Sequence, residues 1–198
     1  MMKKVLYTLA FIAVFILNSC KTNQVKNTQT INLGIYVSEN PVELPDTVVR
    51  LFRKLTVEAE NDTASPFIGY IDAANNLNPV FESPDSSYKI LRTLNTVDKN
   101  GKYHGMVVVK TTPFIGNDDI SKTKAEGNKL IIYFNPEGSG KWADITRNFQ
   151  GKTVAFTIDN VIYSLPLING TVTNGVAMIG ALDSEATALK LSDALNGN

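Results

Sequence analysis

The sequence has 198 residues, with 19 basic and 19 acidic side chains, one histidine and one cysteine. The balanced charge and the lack of any run of Lys or Arg exclude the electrostatic footprint of a nucleic-acid-binding protein. A single cysteine excludes an internal disulfide, and the scarcity of His and Cys excludes a usual zinc site. We therefore predict no cofactor, no metal and no nucleic-acid partner.

Residues 1–19 have the pattern of an export signal. Lys3 and Lys4 supply its positive charge, and an apolar stretch runs from Val5 to Leu17. This stretch is shorter than the roughly 20 residues that a permanent membrane-spanning helix needs, but it suits a cleaved signal. We predict a signal peptide over residues 1–19.

The signal ends in Leu17-Asn-Ser-Cys20, which resembles the lipobox of bacterial lipoproteins. The resemblance implies that Cys20 carries lipid and becomes the new N-terminus; the alternative is an unmodified thiol at an ordinary cleavage site. Acylation accounts better for a lone cysteine in an exported chain. We predict lipid attachment at Cys20, a flexible tether over residues 20–30, and a chain anchored to the membrane of a bacterial envelope, facing the periplasm.

Residues 31–100 are predicted to form an N-terminal α+β portion. A helix begins at Asp46 as its cap, and the helical spacing predicts an apolar face made of Val48, Leu51, Phe52 and Leu55. Strands are predicted at Ile31–Val37, Pro66–Ile71 and Ser87–Leu94, with turns or loops at Asn61–Ser65, Asn75–Asp85 and Asp98–Gly101.

Residues 101–198 are predicted to form a second domain. Its first segment, Tyr103–Thr111, contains the apolar run Met106–Val109, and Leu130–Phe134 is a run of apolar residues that indicates a largely buried strand. The chain then turns at Pro136–Gly140 and enters a helix that stops at Gly151. The helix places three apolar side chains on one face: Trp142, Ile145 and Phe149.

A hairpin and a final strand and helix complete this domain. The hairpin strands, Thr153–Ile158 and Val161–Leu165, flank Asp159-Asn160, two residues that tolerate positive φ. A strand at Val176–Gly180 follows. The last helix is capped by Asp183 or Ser184, and its inward stripe consists of Ala188, Leu191 and Leu195. The fold class of the whole chain is therefore predicted to be α+β.

The ordered motifs of this second half resemble one known family, the periplasmic P1 head subdomain of SecD, a membrane subunit of the bacterial protein-export machinery. Thr112–Ile120 is similar to its opening segment, and Asn160 stands where the family usually has Gly. The resemblance covers about residues 105–198 and implies a strand-helix-hairpin-strand-helix order. It rests on these segments: Phe134–Gly138, Trp142–Thr146, Gly151–Ala155, Ile158–Asp159, Ser164–Pro166, Asn174–Gly175, Ile179–Gly180, Glu185–Ala186 and Ala194–Gly197.

Carboxylates are the remaining candidates for chemistry. An envelope hydrolase acting on peptidoglycan or peptides could use Asp118, Asp144 and Asp159. Spacing alone, however, assembles no base, nucleophile and oxyanion donor. Asp118 and Asp119 precede a predicted short helix at Ile120–Ala125, where capping is the commoner role of such residues.

Two further groups have a functional and a structural interpretation. His104 is the only histidine, and we predict a turn-edge or surface position for it without a catalytic role. Trp142, Tyr133 and Phe134 could form a binding patch, but their positions match core faces, so packing is the prediction.

The predicted function is non-enzymatic, with no catalytic residue. A lipid-anchored envelope protein would bind a protein or polypeptide partner through its head-like domain, with an exposed strand edge near Pro166 as one route, and its role would be linked to protein export. The alternatives are the hydrolase and a purely structural lipoprotein. The resembled family also depends on a membrane domain with many spanning helices, so its motor activity is not carried over.

Overall fold

The computed structural model describes residues 31–57, 69–74 and 79–197. The predicted signal peptide, Cys20 and the tether lie outside the described residues, as do the predicted turn at Asn61–Ser65 and the first part of the strand predicted at Pro66–Ile71. These expectations remain predictions.

Strands and helices are interspersed along the described residues, so the fold class is α+β, as predicted. The helices are α1 Asp46–Leu55, α2 Pro136–Asn148 and α3 Glu185–Leu195. The strands are β1 Leu33–Val37, β2 Gly69–Asp72, β3 Val80–Glu82, β4 Tyr88–Thr96, β5 Tyr103–Lys110, β6 Ile120–Glu126, β7 Lys129–Phe134, β8 Val154–Ile158, β9 Val161–Ser164 and β10 Val176–Ile179.

The strands form two sheets. The larger sheet has the order β1-β8-β9-β4-β5-β2, with β3 also paired to β4. Its pairs are antiparallel except β4 with β9. The smaller sheet has the order β10-β7-β6 and packs against α3. Strands from both sides of residue 100 share the larger sheet; the domain boundary predicted there remains a prediction.

The larger sheet curls until its strands β1 and β5 meet. Ser38, just after β1, bridges to Val109, and the Glu39 N–H donates to the Val108 carbonyl at 2.9 Å. The inner face of the curl is filled by buried side chains from five strands, because alternate residues of a strand face opposite sides of its sheet. They are Tyr36, Leu91, Val107, Val109, Ala155 and Ile162.

The main core lies between the outer face of β1 and β8 and the smaller sheet with its two helices. Ile35, Phe156 and Ile132 are among its most buried members. A second cluster forms where α1 covers the other half of the larger sheet, with Val48 and Phe52 of the helix against the strands. The apolar face predicted for α1 is confirmed, although Leu51 and Leu55 are only partly buried.

Two local predictions in the second half, the hairpin turn and the cap of the last helix, are confirmed. Asp159 and Asn160 have φ of 50° and 64°, the two positive values of a type I′ turn, and they join β8 to β9. Ser184 caps α3 by accepting a hydrogen bond from the Thr187 N–H at 3.1 Å. The strand predicted at Val176–Gly180 is also present, as β10.

Three helix predictions are wrong. Asp46 is the first residue of α1, not its cap, and the cap position is Pro45. The residues 136–140, predicted as a turn, form the first turns of α2, because Asn135 caps the helix by accepting from the Gly138 N–H at 2.9 Å. The short helix predicted at Ile120–Ala125 is strand β6, which forms a hairpin with β7.

One strand prediction also needs correction. Strand β3 lies within the segment predicted as the loop Asn75–Asp85. Strand β9 ends at Ser164 and lies between β8 and β4, so this strand is not itself at the edge of the larger sheet.

Candidate functional site

An apolar groove lies between α2, β8, β10 and the segment 166–172. Its cavity volume is about 260 Å³. Helix α2 presents Trp142 and Thr146 to the groove because these residues share one helical face, and β10 borders it through Ala177 and Met178. The rest of the lining is mostly apolar: Val154, Phe156, Pro166, Leu167, Ile168, Asn169, Gly170 and Val172.

Two large apolar side chains of this groove are open to solvent. Leu167 is 52% exposed and Met178 is 46% exposed. Burying such a side chain is worth about 1.5–3 kcal/mol. The groove therefore offers apolar surface that a bound molecule can cover.

Trp142 combines a packed ring with an unpaired polar atom. The residue is 6% exposed, and its ring meets those of Phe134 and Phe156 at centroid distances of 5.8 Å. Its buried Nε1 donor has no acceptor among the described residues. An unsatisfied buried donor costs roughly 1–3 kcal/mol, so this N–H destabilises the fold slightly.

Thr146 fixes the wall opposite this ring. Its hydroxyl donates to the Trp142 carbonyl at 2.9 Å and accepts from the Val172 N–H at 2.9 Å. The contact ties the segment 166–172 to α2. One wall of the groove is therefore fixed to α2 by a hydrogen bond.

A buried cation marks a second polar feature, on the inner face of the larger sheet. Lys89 is 7% exposed, and its Nζ donates to Tyr36 Oη at 2.8 Å and to Asn160 Oδ1 at 2.7 Å. Burial lowers the pKa of Lys89, partly offset by the charge of Glu82, and burial raises the pKa of Tyr36. Gly34 leaves room for this tyrosine, since a Cβ there would lie 2.6 Å from the ring. The cluster is internally bonded and serves packing.

The three candidate carboxylates are not brought together. Asp144 pairs with Arg147 at 2.8 Å on the exposed side of α2, and Asp159 Oδ1 accepts from the Asn32 N–H at 2.9 Å. Asp118 is exposed and lines a different pocket from the groove. Across the described ranges, no group of three or more His, Cys, Asp or Glu side chains could hold a metal ion.

Asp119 has the capping role that its position indicated, but in a short 3-10 helix, Asn117–Asp119. Its Oδ2 accepts from the Gly116 N–H at 2.9 Å, and its Oδ1 forms an ion pair with Lys141 at 2.7 Å. This contact joins the turn to α2. It stabilises the fold and leaves no free acid.

His104 is the second residue of β5, close to the turn Asp98–Gly101, and is half-buried. Its Nδ1 is buried with no hydrogen-bond partner in the part of the chain that the structure describes. Burial, and then the charge of Arg92, lowers the pKa of His104. Of the aromatic residues proposed as a patch, Trp142 and Phe134 are buried, whereas Tyr133 is half-buried with Lys122 Nζ 5.0 Å from its ring centroid.

The groove was missed in the sequence because its lining comes from elements that are distant along the chain. Leu167 and Met178 were the available signal, since each is a large apolar residue beside a turn or on a short strand. Exposure could not be assigned to them without knowing which sheet each segment joins. Fold and site together define an α+β domain with an apolar groove beside a sheet edge.

This chain belongs to the family described as SecDF, P1 head subdomain, whose profile matches residues 91–198, more than half of the chain. The protein translocase subunit SecD of Rhodothermus marinus is 32% identical over 112 residues, which are 52% of this chain and 18% of that protein. The protein translocase subunit SecDF of Thermus thermophilus is 36% identical over 64 residues, which are 32% of this chain and 9% of that protein. The chain thus spans less than a fifth of these relatives.

Two solved structures match this chain over most of its length. One is described as "Structure and function of a membrane component SecDF that enhances protein export", with a TM-score of 0.49, 18% identity, and coverage of 86% of this chain and 64% of that chain. The other, "Crystal structure of SecDF in Super-membrane-facing form", has a TM-score of 0.49 and 20% identity over 86% of this chain and 19% of that chain.

Proposed function

We propose that this protein is a lipid-anchored component of a bacterial envelope that binds extended polypeptide in the groove beside β10 and takes part in protein export without catalysing a reaction. The observation that carries the proposal is the pair of exposed apolar side chains, Leu167 and Met178, on the lining of the apolar groove. Apolar surface with few placed polar groups is typical of binding sites. A peptide supplies apolar side chains that can cover this pair.

Family membership supports the link to export. The relatives are named as protein translocase subunits, and one related structure is described as a component that enhances protein export. The matched region is the head subdomain, so the proposed role is contact with polypeptide at the membrane surface. Residues 31–100 would serve as the portion that supports this head, residues 101–198, because the two share a sheet.

The anchor is the second part of the proposal. None of the helices in the described ranges has the length and apolar composition that crossing a bilayer requires. Lipid on Cys20, together with the tether over residues 20–30, would hold the domain at the membrane. More than one acyl chain gives stable anchoring, at about 0.8 kcal/mol per buried methylene.

Binding is tested with a permanently unfolded polypeptide, reduced and carboxymethylated lactalbumin, carrying a fluorophore for anisotropy. The unaltered protein should bind it, and the double variant Leu167→Ser with Met178→Ser should bind at least tenfold more weakly, about 1.4 kcal/mol. The matched control is Leu189→Ser on α3, because Leu189 is 49% exposed and does not line the groove. Absence of binding by the unaltered protein, or equal losses in all variants, would contradict the proposal.

The anchor is tested by mass spectrometry of the mature N-terminus and by fractionation of cells. The unaltered chain should begin at a lipid-modified Cys20 and sediment with membranes, whereas Cys20→Ser should leave an unmodified chain that no longer does so. An unmodified N-terminus in the parent protein would remove the anchor from the proposal and leave the groove untouched.

A further inference from the structure

The smaller sheet has two edges, and one of them is covered at Thr123. On β6, the Thr123 N–H donates to Asn196 Oδ1 at 2.8 Å, and Asn196 Nδ2 donates to the Thr123 carbonyl at 3.0 Å. The carboxamide of Asn196 therefore occupies the place of a neighbouring strand. Such covering is how proteins prevent unwanted pairing at an edge.

The other edge, β10, is open. The Phe134 N–H donates to the Gly175 carbonyl at 3.0 Å, so odd-numbered residues of this strand direct their backbone groups toward β7 and even-numbered residues direct them outward. The outward Val176 N–H is taken by Asn174 Oδ1 at 3.2 Å. The backbone groups of Met178 have no bond to any residue in the described ranges.

This open edge runs beside the groove. Ala177 and Met178 contribute to the groove lining, together with Trp142 on its inner side. A chain laid along β10 would find backbone partners at Met178, and its alternate side chains would face the apolar lining. The donor and acceptor at one residue match those of an extended peptide backbone.

We infer that the protein binds extended polypeptide by β-strand addition to β10, so that recognition reads the backbone at Met178 and tolerates different side chains. The inference rests on the proposed function and specifies its binding mode. The occupant is a segment of an unfolded chain and not a second copy of this protein. Ala177 and Ile179 of a second β10 are already buried in that copy's own core and could not enter the groove.

The test uses a short peptide of alternating threonine and valine with a lysine at each end, acetylated, amidated and free of tryptophan. Trp142 is the only tryptophan of the protein, so its emission reports occupancy of the groove directly. Two further peptides carry N-methyl groups, one on every odd residue and one on every even residue. In an added strand only alternate N–H groups face β10. One of the two N-methylated peptides should bind at least tenfold more weakly than the unmethylated peptide. The other N-methylated peptide should bind more strongly than the first.

Two protein variants at Met178 test the same backbone contact on the protein instead of on the peptide. Met178→Pro removes the outward N–H, a change that an edge strand tolerates because this group has no partner in the fold. Met178→Ala keeps the N–H and removes the side chain. Met178→Pro should bind the unmethylated peptide at least fivefold more weakly than Met178→Ala does. If Met178→Pro does not fold, the peptide series alone decides.

The outcomes separate the binding mode from the function. Binding that is equally sensitive or insensitive to both methylation patterns overturns strand addition. Binding of unfolded lactalbumin without binding of the alternating peptide also overturns strand addition. In that case the proposed function stands. Failure of both ligands contradicts the proposed function itself. A concentration-dependent dimer that is abolished by Met178→Pro would assign the edge to a second copy and overturn the inference.

Discussion

At the scale of single residues, asparagine side chains take the place of backbone groups where strands lack a partner. Asn117 Oδ1 accepts from the Leu33 N–H at 2.8 Å, and its Nδ2 donates to the Ile31 carbonyl at 2.8 Å, which completes the start of β1. Asn196 does the same for Thr123 on β6. The carboxamide offers one donor and one acceptor in nearly the spacing of a peptide unit.

We expect Asn196→Ala to lower the free energy of unfolding by about 1–3 kcal/mol, because the N–H of Thr123, a residue that is only 5% exposed, loses its acceptor. Urea denaturation followed by circular dichroism measures the change. Asn148→Ala is the control, since this residue is exposed at the end of α2. Equal effects of the two substitutions would mean that the edge contact contributes no stability.

His104 predicts a dependence of stability on pH. Burial, followed by the charge of Arg92, lowers its folded-state pKa below the usual 6.5. The unfolded chain therefore takes up the proton first as pH falls, and stability should decrease from about pH 7 until the folded-state pKa is passed. Because the chain has no other histidine, His104→Gln should remove this dependence between pH 7 and 5. Thermal denaturation at several pH values is the measurement, and an unchanged slope in the variant would contradict it.

At the scale of elements, helix α2 shows that the effect of a glycine on stability depends on the packing around it. Gly138 is buried against the turn that holds Asp119, and a Cβ at this position would meet the Asp119 carbonyl oxygen and lie 2.9 Å from the Asp119 Cβ. Gly140 lies on the same helix with nothing within 4 Å of such an atom. The two glycines therefore differ only in their surroundings.

Alanine substitutions at these two glycines should change the free energy of unfolding in opposite directions. Alanine favours an exposed helix interior by about 1 kcal/mol over glycine, so Gly140→Ala should raise the free energy of unfolding by up to that amount. Gly138→Ala should lower it by about 1–3 kcal/mol, because the helix must move away from the Asp119 backbone. Denaturant titration of both variants is the measurement. Stabilisation by both substitutions would show that the Asp119 backbone can move away from position 138 without destabilising the fold.

Local signals predicted several elements and nonlocal pairing decided the rest. The Asp159-Asn160 hairpin was predictable because its turn chemistry is contained in two residues. Asn135-Pro136 contained the start of α2, a capping residue followed by proline, but the two glycines beyond it favoured a turn. Strand β6 was taken for a helix because its outward residues are mostly polar and its pairing to β7 is tertiary.

The candidate site was beyond prediction for the same reason. The unexpected neighbour of β9 is β4, some 70 residues earlier along the chain, and this pairing places β9 inside the sheet. The open edge is instead on β10, whose pairing could not be read from its own four residues. Trp142 was predicted to be a core residue, and it is one, but it also lines the groove.

At the scale of the whole molecule, the region that matches the SecDF P1 head family, residues 91–198, shares the larger sheet with strands from the N-terminal portion. The curled sheet and the main core hold α2 and the smaller sheet in a fixed relation. The groove lies where these parts meet, so its shape depends on the whole fold and not on any single motif. A binding surface of this kind suits sequence-tolerant contact with unfolded chains.

The most direct measurement is site-specific photo-crosslinking in intact cells. A photoreactive residue replaces Leu167 in the groove, or Leu189 on α3 as the matched exposed control. The account predicts that the probe at 167 captures exported polypeptide chains during their synthesis and that the probe at 189 captures far fewer. Equal capture at both positions, or none at 167 while the protein is folded and in place, would contradict it.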